Sequence, residues 1–257
     1  MNSERYATEF VLQENTRENQ FNKIWTQDLT EVFADVAQYY DRANDVATLG
    51  LLNGLRKKFI AGIELHSGQK ALDVCAGTNV IGIDLLTRQP DLQMFAVDRS
   101  SDMQRVGQER AKKRGLTIDS TISDVHQLPF PDNHFDIVTL QYASRHLRVV
   151  EVFEEVRRVL KPGGHFYHCD MLRPANKTIE KIYYLFLRGS VGFTAWLFGS
   201  DKTSLSCKTY FIDALRVFYS VDELSELLRQ IGFVDVQGKG MLGGTVGFHK
   251  AVVPTEK

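Results

Sequence analysis

The chain is short of residues that staple or punctuate a fold: 3 cysteines and 6 prolines in 257 residues. Cys75, Cys169 and Cys207 have neither CxxC nor metal-ligand spacing. That excludes a disulfide framework and implies no metal site, and the odd, sparse count fits a reducing, cytoplasmic setting. The N-terminus lacks a basic segment followed by an apolar one, so no signal peptide is expected. The most apolar stretch, Ile182 to Phe198, is broken by Arg188, Gly189, Ser190 and Gly192, too short and interrupted for a membrane span. Charge of one sign is missing as well. A net charge of −1 argues against an electrostatic nucleic-acid binder, and the densest basic cluster, Arg110 to Arg114, reads as the solvated face of a helix. There is no internal repeat, and the loop at Asp73 to Asn79 lacks the G-x-G-x-x-G pattern of a dinucleotide-binding turn.

What is present is a 43% apolar chain of a length that suits one α/β domain with an insertion. Residues 1 to 28 are polar and mixed and read as a loose or docking arm. Leu29, Val32, Phe33, Val36 and Tyr40 recur at helical spacing, and a second helical run covers Leu49 to Ile63. Residues 1–65 are therefore expected to form an N-terminal helical cap and 66–257 the main domain.

From Gln69 strands and helices alternate. Strands are expected at Ala71–Cys75, Leu92–Val97, Thr117–Ile122, Phe135–Leu140 and His165–Met171, with helices at Val80–Leu86, Ser101–Arg114 and Val149–Leu160 between them. Ser100 or Ser101 can cap the second helix and Gly115 can stop it. Lys161-Pro162-Gly163-Gly164 reads as a helix stop and turn. Ser220 and Glu223 form a capping-box pattern. The last strands, Phe233–Gln237 and Thr245–Val252, flank a Gly-rich turn and are expected to be antiparallel neighbours. The expected architecture is a Rossmann-like, doubly wound seven-stranded sheet, mostly parallel with an antiparallel last strand. Residues 173–219 interrupt the alternation and read as a lid insertion above the sheet.

In an open α/β sheet ligands bind beyond the carboxyl ends of the strands. The candidates there are Asp73 to Asn79, Asp98, Asp124, Gln141 to His146 and Asp170. Ala76 and Gly77 permit close approach to the backbone, and Asn79 can adopt positive φ; an ordinary strand-to-helix turn would look the same. Asp98 ends the second strand about 20 residues after Gly77, the spacing of an acid that accepts hydrogen bonds from ribose hydroxyls. A helix cap is the other reading, but the serines that follow already supply one. Asp124 could accept from an adenine amino group or be a plain turn residue. His165 and His168 lie on opposite faces of a strand and read as sheet-packing residues, and His66 and His126 as surface or loop residues.

Taken together, these segments resemble class I S-adenosylmethionine (SAM)-dependent methyltransferases, and within them the ubiquinone/menaquinone biosynthesis C-methyltransferase family. Phe33-Ala34-Asp35-Val36-Ala37-Gln38-Tyr39-Tyr40-Asp41-Arg42-Ala43-Asn44 resembles that family's N-terminal signature, with Val36 in place of isoleucine. Leu128 to Asp132, then Phe135-Asp136, and Arg158 to Gly164 resemble two segments common to the superfamily. The resemblance covers about residues 30 to 252.

It implies SAM as cofactor, held by Asp73, Ala76, Gly77, Thr78, Asn79, Asp98, Arg99, Asp124, Val125 and Gln141, with Gln141 beside the sulfonium. It implies Arg145, His146, Asp170 and Tyr210 as catalytic residues and Tyr40, Tyr142 and Tyr210 as acceptor contacts. Ala76 and Asn79 stand where the family's loop has glycines, and His146 where it has an amide. The implied acceptor is a small apolar molecule such as a prenylated quinol, whose ring carbon becomes nucleophilic when a hydroxyl ionises. Arg145 would stabilise the phenolate while His146 or Asp170 accepts a proton. Tyr183, Tyr184, Phe186, Phe193, Trp196 and Phe198 would form an apolar lid, in peripheral contact with the inner face of a membrane, or pack as an ordinary insertion. A homodimer is left open. So are a different phenolic, polyketide or terpenoid acceptor, other chemistry on SAM, and a SAM-fold binding protein without catalysis.

Overall fold

The alternation from Gln69 onward folds as the patterning demands. The structure is a computed structural model, and it describes residues 8–29, 33–34, 37–198 and 210–255. Val32 and Val36 of the expected helical stripe, Asp35 of the signature segment and Cys207 lie outside the described residues, as do the side chains of Trp196 and Phe198.

Seven strands form one sheet: β1 (Lys70–Val74), β2 (Gln93–Asp98), β3 (Asp119–Ile122), β4 (Phe135–Gln141), β5 (Leu160–Met171), β6 (Val234–Met241) and β7 (Val246–Val252). Their order is β3-β2-β1-β4-β5-β7-β6. β1 pairs in parallel with β2 and β4, whereas β7 runs antiparallel to β5 and β6. The order reverses at β1, so the switch point lies beyond the ends of β1 and β4, between Val74 and Gln141.

Helices cover both faces. α1 (Thr8–Lys23) continues as a π-helical turn, Ile24–Asp28, and is followed by α2 (Tyr40–Ala47) and α3 (Leu51–Ala61). Within the sheet region come α4 (Val80–Arg88), α5 (Ser101–Lys113) and α6 (Val149–Val159). α7 (Lys177–Phe198), α8 (described over 210–216) and α9 (Val221–Ile231) complete the chain. One core layer packs α6 and α9 on the sheet through Phe153, Val156, Phe166, Leu224 and Leu228. The other packs α3 and α4 through Leu55, Phe59, Ile81, Leu85 and Met94. Ser100 caps α5 by accepting from the Met103 N–H, and the Ser220–Glu223 capping box opens α9.

Two expectations are adjusted. Of the loose or docking arm expected over residues 1 to 28, the described part, residues 8–28, takes the docking alternative and is helical and packed down. Phe10, Glu14, Arg17, Phe21, Trp25 and Leu29 are all buried and follow one another at three- or four-residue spacing. They form one helical stripe, and the two charged members break its apolar reading. The second correction is at Lys161–Gly164, which is not a loop. β5 begins at Leu160, opposite Phe135, and the register slips before Ile137 meets His165. Gly163, at φ +76, absorbs the slip as a bulge while its N–H donates to Val253 O. Among the described residues no helix is long and apolar enough to cross a membrane.

Candidate active site

A cavity of about 1250 Å³, counted to its open mouth, lies at the switch point. Its floor is the loop after β1. Three of the five residues there, Cys75 (φ 57), Gly77 (φ 52) and Asn79 (φ 57), have left-handed backbone, which turns the chain sharply into α4. β2 lies beside β1, so Asp98 meets this loop directly. The Gly77 N–H donates to Asp98 Oδ2 and the Ser100 N–H to Oδ1, each at 2.8 Å. A carboxylate has about four lone-pair sites, so both oxygens retain acceptor capacity for a diol. Burial pushes Asp98 upward against these hydrogen bonds.

Asp73 also lines the cavity; burial raises it to about 7, opposed by the 2.6 Å hydrogen bond from Thr139. Ala76, Gly77, Thr78, Arg99, Asp124, Val125 and Gln141 line it too. Asn79 does not. It is fully buried behind the loop, where its Oδ1 accepts from Gln104 Nε2 at 3.0 Å. Its side chain therefore supports the loop from behind. Gly107 of α5 makes room for it, since a Cβ there would lie 2.7 Å from Asn79 Nδ2.

Two further readings change. The Thr78 hydroxyl donates to Asp41 Oδ2 at 2.9 Å, and Arg110 pairs with the same oxygen. Arg110 is thus a tie between α5 and α2, while its neighbours Lys112 to Arg114 are exposed as expected. His126 takes the loop alternative of its surface-or-loop reading and faces inward. It lines the cavity, its Nδ1 bonds Asp124, and its Nε2 accepts from the Arg148 N–H at 3.1 Å. Although burial pulls Asp124 upward, its bonds to His126 bring it below the usual carboxylate range.

The far end of the cavity is aromatic. Leu29, Phe33, Tyr40, Tyr142 and His146 line it. Phe33 stands edge-on to both Tyr40 and His146, with centroids 6.0 and 6.3 Å apart. Burial raises the Tyr40 and Tyr142 hydroxyls above the ordinary phenol value. His146 is 6% exposed. Burial, reinforced by the charges of Arg145, Arg17 and Arg99, holds it well below the ordinary imidazole value, so its ring is neutral. Its Nε2 is buried with no partner among the described residues, as is Gln141 Nε2 at the end of β4.

Arg145, Asp170 and Tyr210 stand behind this wall. Arg145 Nη1 donates to Asp170 Oδ1 at 2.7 Å and to Tyr142 O at 2.8 Å. The Ser144 N–H and hydroxyl take Asp170 Oδ2 at 2.7 and 2.6 Å. Asp170 is wholly buried and its oxygens are taken up by this turn, which it anchors. Arg145 is its partner. Tyr210 reaches the site through His146 Nδ1, which it bonds. His168 packs inside the sheet as expected, beside Ser144 Oγ (2.9 Å) and His249 (3.2 Å). Sequence reasoning missed Trp25, whose Nε1–H donates to Tyr210 at 2.9 Å, and Asn44 and Met103 of the cavity wall. The helical spacing of Trp25 with Phe21 and Leu29 was the available signal.

The lining fits SAM. Asp41, Asp45, Asp73, Asp98 and Asp124 outnumber Arg56 and Arg99, which suits a cationic ligand. Gln141 Nε2 is an orphan donor, which an acceptor atom of SAM such as its carboxylate can meet.

A model of the ubiE/COQ5 methyltransferase family matches residues 21–253. The chain is 34% identical over 226 residues to the demethylmenaquinone methyltransferase of Geobacillus stearothermophilus, covering 85% of this chain and 93% of that one. It is 30% identical over 231 residues to the ubiquinone/menaquinone biosynthesis C-methyltransferase UbiE of Pseudomonas entomophila (strain L48), covering 88% and 89%. Among solved structures, a SAM-dependent methyltransferase from Aquifex aeolicus matches with a TM-score of 0.55 at 18% identity, over 77% of this chain and 89% of that one, a likeness of fold.

Proposed function

As the chain belongs to the ubiE/COQ5 methyltransferase family and is a SAM-dependent methyltransferase, we infer that it methylates a ring carbon of a prenylated quinol, of the kind demethylmenaquinol represents. The names of its relatives support that acceptor class. The observation that carries it is the aromatic lining of the cavity, where Phe33, Tyr40 and Tyr142 join the neutral, buried His146, whose ring Phe33 meets edge-on. Such a box accepts a flat apolar ring and offers a polar contact to a ring oxygen.

Bound over the acidic floor, SAM supplies an electrophilic methyl group, and the C–S electron pair departs with the thioether. Asp98 would hold its ribose, Asp124 and Val125 would border its base, and Gln141 would lie near the transfer point. The protein must then align the acceptor ring for in-line attack. The ring carbon provides the electron pair of the new C–C bond, and its proton passes to solvent water as the C–H electron pair restores aromaticity. The Arg145–Asp170 pair is a fixed, mutually neutralised unit that sets the turn carrying His146.

The apolar tail of such an acceptor suits the outer surface of α7. Ile182, Leu185, Phe186 and Phe193 are exposed there and share a groove with Val46 and Leu49. The same surface supports peripheral membrane contact.

The test is SAM turnover with a panel of demethylquinols and unrelated apolar phenols, reading products by mass. Preferred C-methylation of a prenylated quinol is expected. Methylation of the unrelated phenols alone would replace this acceptor class, and tight SAM binding with no product would remove the catalytic reading.

A further inference from the structure

The N-terminal helix reaches the acceptor end of the cavity through side chains. Arg17 is fully buried, and its Nη2 donates to the carbonyls of Leu147 (3.0 Å) and Arg145 (3.3 Å). Glu14 accepts the Val149 N–H at 3.0 Å and the Tyr219 hydroxyl at 2.7 Å. The turn carrying His146 is thereby clamped from outside the sheet. Two helical turns beyond Arg17, Trp25 Nε1–H donates to the Tyr210 oxygen at 2.9 Å, and Tyr210 in turn bonds His146 Nδ1.

The direction of the last bond follows from chemistry. An indole N–H can only donate. A phenol is a stronger acid than a neutral imidazole, so the hydrogen between Tyr210 and His146 belongs on oxygen, and the indole's donation to that oxygen strengthens it. His146 Nδ1 then accepts. A neutral imidazole carries one N–H, which must be on Nε2. That atom is buried and has no partner among the described residues, on a ring that lines the cavity.

Resting on the quinol reading, we propose that Trp25 is a positioning residue which, through Tyr210, fixes His146 as an Nε2–H tautomer that donates a hydrogen bond to the acceptor's ring oxygen. His146 therefore steadies charge on that oxygen and does not remove its proton. An amide N–H at this place would do the same work, which accounts for histidine standing where the resemblance had an amide.

The test has two arms on the full-length protein. In the first, ¹⁵N-histidine NMR reads the His146 tautomer without any acceptor. Wild type is expected as neutral Nε2–H, whereas Trp25→Phe and Tyr210→Phe are expected to show a measurable Nδ1–H fraction. A wild-type Nδ1–H tautomer, an imidazolium at pH 7, or a tautomer unmoved in both variants overturns the proposal. In the second arm, methylation of a short-chain prenyl naphthohydroquinol is followed. His146→Gln, which can keep an N–H at the Nε2 position, is expected to stay within roughly tenfold of wild-type kcat, and His146→Ala to fall roughly a further tenfold. Trp25→Phe is expected to lower kcat severalfold with the KM for SAM unchanged. Gln and Ala variants equally inactive would make His146 a base and overturn the proposal. If wild type does not methylate this probe, the acceptor reading fails, and the NMR arm alone decides the tautomer.

Discussion

Arg145 and Asp170 face each other at 2.7 Å with both side chains buried, and neither lines the cavity that their turn helps to shape. Asp170 also receives hydrogen bonds from the Ser144 N–H and hydroxyl and the Met171 N–H. Asp170→Asn would strand a buried guanidinium and set an amide N–H against a backbone donor. The expected cost is about 3 kcal/mol or more, read as a lower denaturant midpoint. A variant of unchanged stability would mean that the pair is open to solvent.

Asp98 joins the cofactor loop to α5 through Gly77 and Ser100. Asp98→Ala removes the acceptors for a diol and leaves two N–H donors facing the cavity. Calorimetry should show SAM binding weakened by about 10- to 100-fold. Wild-type affinity would move the ribose site elsewhere.

Gly107 gives a separate handle on the same loop. A Cβ there would lie 2.8 Å from the Thr78 carbonyl carbon as well as close to Asn79. Gly107→Ala should push the loop off α5, costing about 1–3 kcal/mol of stability and weakening SAM binding together. If stability falls but SAM affinity stays, Asn79 and Gln104 do not transmit loop position to the cavity.

Burial pushes His249 down to about 4. An unfolded histidine titrates near 6.5, so below that pH the unfolded chain binds the proton and native stability is lost as pH falls. Asp73, raised to about 7 by burial, acts in the opposite direction, so a comparison between variants is needed to separate the two. With His249 at about 4, the stability gap between wild type and His249→Gln should shrink by about 2 kcal/mol from pH 7 to pH 5. A gap constant across that range would show that His249 is not held neutral.

The exposed residues of α7 permit a direct check of surface function. Leu185→Glu and Phe186→Glu alter side chains that are 72% and 40% exposed and should cost little stability. Sedimentation with lipid vesicles should fall severalfold relative to wild type. Equal sedimentation would leave this face without a membrane role.

The sheet and the positions at its strand ends were legible because short apolar runs, helix caps and glycine stops mark where each strand ends. Asp73, Asp98, Asp124 and Gln141 all line the cavity for that reason. Side-chain direction was not legible. Asn79, Arg145 and Asp170 sit at the right places along the chain, but their side chains turn into the protein, and spacing alone does not record that. The N-terminal helix was hidden more thoroughly. Glu14 and Arg17 occupy its buried stripe, and their partners are supplied by segments far along the chain.

That separation bears on how the enzyme comes into being. Glu14 bonds Tyr219 across 205 residues of sequence, and Arg17 bonds Leu147 across 130. This helix is synthesised long before the segments it docks on and can be seated only once Tyr219 has been made, an arrangement of high contact order. A nascent chain that ends before Tyr219 already holds the cofactor loop and still lacks the Glu14 contact that seats the helix.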